Sequence, residues 1–111
     1  MPNQAIQHAS KLMFDALNAQ NPSTDTQRLV FKTLKRMSLD IELDAQSCAR
    51  VTAETDYKHM IGCIEGYYMA AYLLLEQTEM RDAYKGWLES AEYVWETVKA
   101  ECDGRKTATA K

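Results

Sequence analysis

The chain has 111 residues, of which 46% are hydrophobic and 26% charged, and its formal net charge at pH 7 is −3. This composition excludes a disordered chain, and the length is that of one domain with a sizeable core. Three cysteines without a CxxC pair indicate reduced thiols rather than a disulfide framework. Four glycines and two prolines give few turn signals, which favours an all-α fold.

The N-terminal sequence shows no secretory signal. Gln, His, Lys and Asp interrupt the first twenty residues, so no unbroken apolar run forms there. The most apolar segment, residues 60–75, contains one glutamate and is shorter than the roughly 20 residues of a membrane span. We therefore expect a cytoplasmic protein without a membrane segment.

Two amphipathic helices are predicted at the start of the chain. The first covers about residues 3–19 and ends before Pro22, because the residue before a proline avoids helical geometry. Thr24 and Gln27 have the spacing of a capping box, which predicts a second helix from there to about Ser38. Their apolar faces are Ile6, Ala9, Met13, Ala16 and Leu17 in the first, and Val30, Phe31, Leu34 and Met37 in the second.

Residues 39–54 are the hardest segment to interpret. Either a loop precedes a short helix that starts near Asp44, or the next helix begins this early. Beyond this segment, an antiparallel helical hairpin is predicted over about residues 55–77 and 79–102, with the polar run Glu76–Glu79 as its turn. The sequence thus predicts a small bundle of four to five helices built on that hairpin.

Both hairpin helices carry apolar residues at alternating steps of four and three, which is the seam of a packed helix. The seam residues are Met60, Ile64, Tyr67, Ala71 and Leu74 in the first helix, and Met80, Tyr84, Trp87, Ala91, Val94 and Val98 in the second. Gly104 is a candidate C-terminal cap. We therefore divide the chain into one helical domain, 1–103, and a flexible basic tail, 104–111.

The helix at 55–77 is apolar on nearly every side. Gly62, Gly66 and Ala70 recur every four residues opposite the seam, and small residues at that spacing let two backbones approach closely. We therefore expect this helix to be central, with the second helix of the hairpin on its seam and another helix on the small residues. The apolar faces of the first two helices are narrow, so two alternatives remain for the helix at 55–77. Either a second copy or another protein covers part of its apolar surface, or one chain covers it completely.

The leading hypothesis is a homodimer or another protein complex formed through the hairpin. Large aromatic residues dominate the energetics of protein interfaces, so the aromatic residues of the hairpin are candidate anchors. In a domain of this size the same residues could also form the core. The candidate interface consists of Gly62, Gly66, Tyr67, Ala70, Tyr72, Leu73, Tyr84, Trp87 and Trp95.

No sequence motif indicates catalysis or a cofactor. The chain has no glycine-bracketed serine and no phosphate-binding glycine loop. Asp56, His59 and Cys63 share one helical face and are possible metal ligands, but a polar helix start with a buried thiol is the favoured interpretation. Glu65 either points outward at the rim, pairs with a base, or serves chemistry. We expect no metal, no cofactor and no enzymatic activity.

Two charged faces suggest competing partners. A basic face could contact an acidic protein or nucleic acid, and an acidic face could imitate nucleic-acid phosphates toward a basic groove. Ordinary solvated faces are the simpler interpretation of both. The basic face consists of Arg28, Lys32, Lys35 and Arg36, and the acidic face consists of Asp82, Glu89, Glu96 and Asp103.

The sequence therefore favours a small non-enzymatic module for protein–protein interaction, homodimeric, that occupies a partner surface as an inhibitor, immunity factor, adaptor or chaperone-like protein. The identity of its partner is open. The alternative is an acidic nucleic-acid-mimicking inhibitor of a DNA- or RNA-binding protein. Direct binding of nucleic acid through the basic face is the least favoured hypothesis.

Overall fold

The computed structural model describes residues 4–51 and 54–109, and the side chains of residues 4–51 and 56–104. The described residues contain four α-helices and no strand, which confirms the predicted all-α bundle. The helices are α1 (Gln4–Asn18), α2 (Asp25–Cys48), α3 (Glu54–Gln77) and α4 (Lys85–Thr109). They form a rod of 54 × 23 × 18 Å.

Local sequence signals set the bounds of α1 and the start of α2. α1 covers the predicted residues to within one position at each end. At the start of α2 the Thr24 hydroxyl accepts from the Gln27 backbone N–H at 3.1 Å, and Oε1 of Gln27 accepts from the Thr24 backbone N–H at 3.3 Å. The capping box is therefore confirmed.

α2 continues beyond Ser38 to Cys48, so both predicted alternatives for residues 39–54 are wrong over this range. Its buried side chains keep the helical period across the predicted break. Ser38 fits inside because its hydroxyl donates to the Leu34 carbonyl at 2.7 Å and accepts from Nε1 of Trp87 at 2.9 Å. The buried row of α2 is Val30, Leu34, Ser38, Ile41, Ala45 and Cys48.

The turn between α3 and α4 is longer than predicted. Glu79 has a φ of 59°, in the left-handed region. The Glu79 N–H bonds to the Glu76 carbonyl at 3.2 Å and the Met80 N–H to the Leu75 carbonyl at 2.8 Å, which is a Schellman motif. Residues 81–84 continue the turn, so α4 begins at Lys85 rather than near residue 79.

The C-terminal bound of α4 also differs from the prediction. The helix extends to Thr109, so Gly104 does not end it. A glycine cap at the C-terminus of a helix normally has a positive φ, and no glycine of the described residues has one. Gly104 lies inside the helix instead, which a helix tolerates at a modest energetic cost. The division into a domain and a flexible tail stays a prediction.

α2 and α4 are the central pair of the bundle. α1 packs mainly on α4 and α3 mainly on α2, while α2 and α4 also touch each other. Among the described residues α1 and α3 make no contact. α3 is therefore an outer helix, and the expectation that it is the central element is wrong.

Candidate interaction surfaces

The side of α3 that faces away from the bundle carries a row of exposed apolar and small residues. Met69 and Leu73 are 51% and 53% exposed. We call this row the outer face of α3, and it consists of Gly62, Gly66, Met69, Ala70 and Leu73, all of which are exposed. The other side of the helix buries Tyr57, Ile64, Ala71 and Leu75 in the core.

The small residues on this face have no packing partner in the described chain. A methyl group built on Gly62 or Gly66 would meet no atom of the described residues within 4 Å, apart from the helix's own backbone and immediate neighbours. The expected helix on the small residues is therefore missing from the described part of the chain. No such helix covers Met69 and Leu73, so the outer face is exposed apolar surface in the described part of the chain.

Two tyrosines border this face. Tyr67 is half-buried on the side toward α2. The negative charge of Asp40 raises the pKa of the Tyr67 phenol, and burial and the charge of Asp44 raise it further. Tyr72 is half-buried and accepts a hydrogen bond from Nη1 of Arg81 at 2.7 Å. Both side chains lie at the edges of the outer face rather than on it.

The aromatic residues predicted for the interface beyond α3 divide into two groups. Tyr84 and Trp87 are 4% and 1% exposed, so they belong to the core of this chain and do not form part of its surface. Trp95 is half-buried, with the Lys99 ammonium 5.2 Å from its ring centroid. Of the nine predicted interface residues, four lie on the outer face of α3: Gly62, Gly66, Ala70 and Leu73.

A second exposed apolar face lies on α2, and the sequence analysis missed it. Leu29, Leu39 and Leu43 are 66%, 48% and 63% exposed on one side of the helix. We call these three leucines the outer face of α2. Leu39 and Leu43 were missed because the helix was predicted to end at Ser38. The unbroken helical period of the buried row, with no glycine or proline from 25 to 48, was the available signal.

The predicted basic residues are all exposed on or beside the outer face of α2. Arg28 forms an ion pair with Asp25 at 3.0 Å, and Nε of Arg36 lies 3.6 Å from the Asp40 carboxylate. These pairs compensate part of the positive charge within α2 itself. Lys32 and Lys35 are exposed on the same helix.

The predicted acidic residues are also exposed, but they do not share one helix. Glu89, Glu96 and Asp103 lie on α4, whereas Asp82 belongs to the turn that precedes it. Tyr93, which is 42% exposed, lies one helical turn from Glu89 and Glu96. An aromatic ring within the acidic row, and the loss of Asp82 from the helix, weaken the resemblance to a regular line of phosphates.

The candidate metal ligands do not converge. Cys63 Sγ lies 3.8 Å from Nε2 of His59, and Asp56 is exposed. Within the described residues no group of three His, Cys, Asp or Glu side chains is placed to hold a metal ion. Glu65 is exposed, in agreement with the interpretation that it points outward.

None of the helices in the described residues combines the length and apolarity that crossing a membrane requires. Comparison with protein-family models, curated proteins and solved structures found no match to this chain.

Proposed function

We propose that this protein is a non-enzymatic interaction module that binds another protein surface through the outer face of α3. It acts by occupying that surface, and no bond is made or broken. The observation that carries the proposal is the half-exposed pair Met69 and Leu73, on a helix that its own chain leaves uncovered.

The position of α3 in the bundle supports this proposal. An outer helix of a monomeric bundle needs one apolar face and fills the other with charged residues. α3 instead has apolar or small residues on both faces, and Glu65 and Glu76 are the charged residues that interrupt the exposed side between 60 and 77. Apolar surface of this kind at solvent is typical of a protein-binding site.

The geometry also suits a helix as the contacting element. Along the outer face of α3 the two glycines come first and the larger side chains of Met69 and Leu73 follow, so a low stretch of surface continues into a raised one. Two helices pack by fitting ridges into grooves, so such a face accepts a helix more readily than a flat sheet.

The proposal is tested with surface variants that leave the core intact. The double variant Met69→Glu/Leu73→Glu places two charges on the outer face of α3, and Leu29→Glu/Leu43→Glu does the same on the outer face of α2. Purified native protein and both variants are used to capture proteins from the host lysate, and each captured protein is then titrated in purified form. We expect a captured protein, or the chain itself, to bind the native and α2 variants equally and to lose affinity at least tenfold for the α3 variant.

Circular dichroism provides the control, because both double variants must keep the helical content of the native chain. Equal binding of the native chain and the α3 variant to every captured protein and to itself would overturn the proposal. Loss of binding only in the α2 variant would overturn it as well, and would assign the function to the outer face of α2.

A further inference from the structure

The exposed side of α3 carries a second seam with the spacing of a coiled coil. His59, Gly62, Gly66, Met69, Leu73 and Glu76 are separated by alternating steps of three and four residues, and all six are exposed. The buried seam of the same helix has this spacing too, so α3 presents two opposite packing faces. One of them is used inside the bundle.

This seam is complementary in size to itself. In an antiparallel pair of α3 helices with the two-fold axis between residues 67 and 68, Leu73 of one copy lies opposite Gly62 of the other. In the same register Met69 lies opposite Gly66. Each large side chain therefore faces a position where added atoms would meet nothing within 4 Å in the described chain.

The ends of the seam place a carboxylate opposite groups that can donate hydrogen bonds to it. The same register places Glu76 of one copy opposite His59 of the other, with the Lys58 side chain on the adjacent position. Each contact occurs twice because of the two-fold symmetry. The antiparallel arrangement also brings the negative C-terminal half of each helix beside the positive N-terminal half of the other.

We propose that the partner of the outer face of α3 is a second copy of this chain, packed antiparallel with Leu73 on Gly62 and Met69 on Gly66. The inference rests on the proposed function and specifies its partner. The contact is isologous and closes on itself, so it produces a dimer and no larger assembly. Neither glycine would be expected on an exposed helix face without such a neighbour, because glycine weakens a helix that is open to solvent.

Disulfide trapping tests the register. In a Cys63→Ser background, Gly62→Cys and Leu73→Cys are made as separate variants with distinguishable masses, while Cys48 and Cys102 stay buried. The register separates two copies of position 62 by about 16 Å along the helix axis, beyond the roughly 7 Å reach of a disulfide. We expect rapid cross-linking when the two variants are mixed and at least tenfold slower cross-linking of either alone.

A parallel pair would give the reverse result, with each variant cross-linking to itself, and would overturn the inference. Leu43→Cys on α2 provides the collision control, because its side chain is 63% exposed outside the proposed contact. Cross-linking of the mixture no faster than this control would also overturn it. In that case the proposed function stands or falls separately on the capture experiment with the α3 double variant.

A second variant separates association from folding. Gly66→Leu adds a helix-favouring side chain where the described chain has open space, so we expect a higher melting temperature at concentrations where the protein is monomeric. The same side chain collides with Met69 of the second copy, so we expect dimer affinity to fall at least tenfold. A Gly66→Leu protein that dimerises as tightly as the native chain, or more tightly, would contradict the proposed packing.

Discussion

α3 and α4 have nearly the same length and the same spacing of apolar residues, yet the bundle treats them differently. α4 buries Trp87, Leu88, Ala91, Val94, Val98 and Cys102 among its neighbours. α3 buries Tyr57, Ile64, Ala71 and Leu75, and leaves Met69 and Leu73 half-exposed. The difference follows from position, because α4 contacts all three other helices and α3 contacts two.

This contrast shows which packing information the spacing of apolar residues in a sequence contains. The alternating spacing identifies a face that packs, and it did so on both helices. It does not identify the neighbour, since a helix of the same chain and a helix of another chain satisfy the same spacing. On α4 the neighbour is internal, and on the outer face of α3 we propose that it is external.

The largest expected effect comes from removing the largest buried side chain of α4. Trp87→Ala should lower the free energy of unfolding by about 3–5 kcal/mol, because it leaves a large cavity in the core. Leu73→Ala removes an exposed side chain, so in dilute solution it should cost less than about 0.5 kcal/mol. Urea unfolding measures both, and similar losses for the two variants would erase the contrast between the helices.

The next effect concerns the buried hydrogen bond that ties α4 to α2. Ser38→Ala leaves the Trp87 indole N–H without its acceptor in the core, which should cost about 1–3 kcal/mol. Ser90→Ala is the matched control, since its half-buried hydroxyl donates to the Gly86 carbonyl of the same helix at 2.8 Å. Equal stability of the two variants in urea would show that this hydrogen bond does not stabilise the α2–α4 contact.

The turn that separates α3 from α4 gives a smaller effect of opposite sign. Glu79→Gly should stabilise the chain by about 1 kcal/mol, because glycine adopts the positive φ of this position without strain. Glu79→Ala keeps a Cβ atom and should give no such gain. A thermal melt that ranks alanine above glycine would show that the left-handed turn is not retained in solution.

The smallest effect concerns the partly buried carboxyl of Asp44 on α2. Burial, with the Asp40 charge adding to it, raises the pKa of Asp44, while His59 of α3 opposes the shift. A carboxyl whose pKa is higher in the folded state than in the unfolded state favours folding while it is protonated. That contribution is lost as the pH rises through its folded pKa.

Asp44→Asn removes this titration. The variant should therefore have a free energy of unfolding about 0.2–0.5 kcal/mol higher than that of the native chain at neutral pH. The difference should disappear in acid, where the Asp44 carboxyl is protonated in both states. Unfolding in urea at a series of pH values measures it. A native chain that gains stability relative to the variant as the pH rises would contradict the sign.

Much of the fold could be predicted from local sequence. Pro22 and the capping box at Thr24 set the boundary between α1 and α2, and the seams located α3 and most of α4. The continuation of α2 was missed because the second helix was predicted to end near Ser38 and residues 39–54 were assigned to a separate loop or helix. The buried residues Ile41, Ala45 and Cys48 keep the helical period nevertheless.

The candidate surface was only partly predictable, since exposure depends on which helices are neighbours. The outer face of α3 was identified from Gly62, Gly66 and Ala70, but the helix expected on it is missing from the described residues. Trp87 and Tyr84 were predicted at the interface because large aromatic residues dominate interface energetics, but such residues suit a core equally well. Nothing in their spacing distinguishes an internal neighbour from an external one.

The most direct test of the outer face of α3 is the mass of the protein in solution as a function of concentration. By sedimentation equilibrium we expect the native chain to pass from 12.7 kDa to twice that mass as concentration rises, and Leu43→Glu on α2 to behave alike. Leu73→Glu should stay at 12.7 kDa throughout. A native chain that remains at the monomer mass at every concentration, or a Leu73→Glu variant that dimerises as tightly as the native chain, would contradict the account.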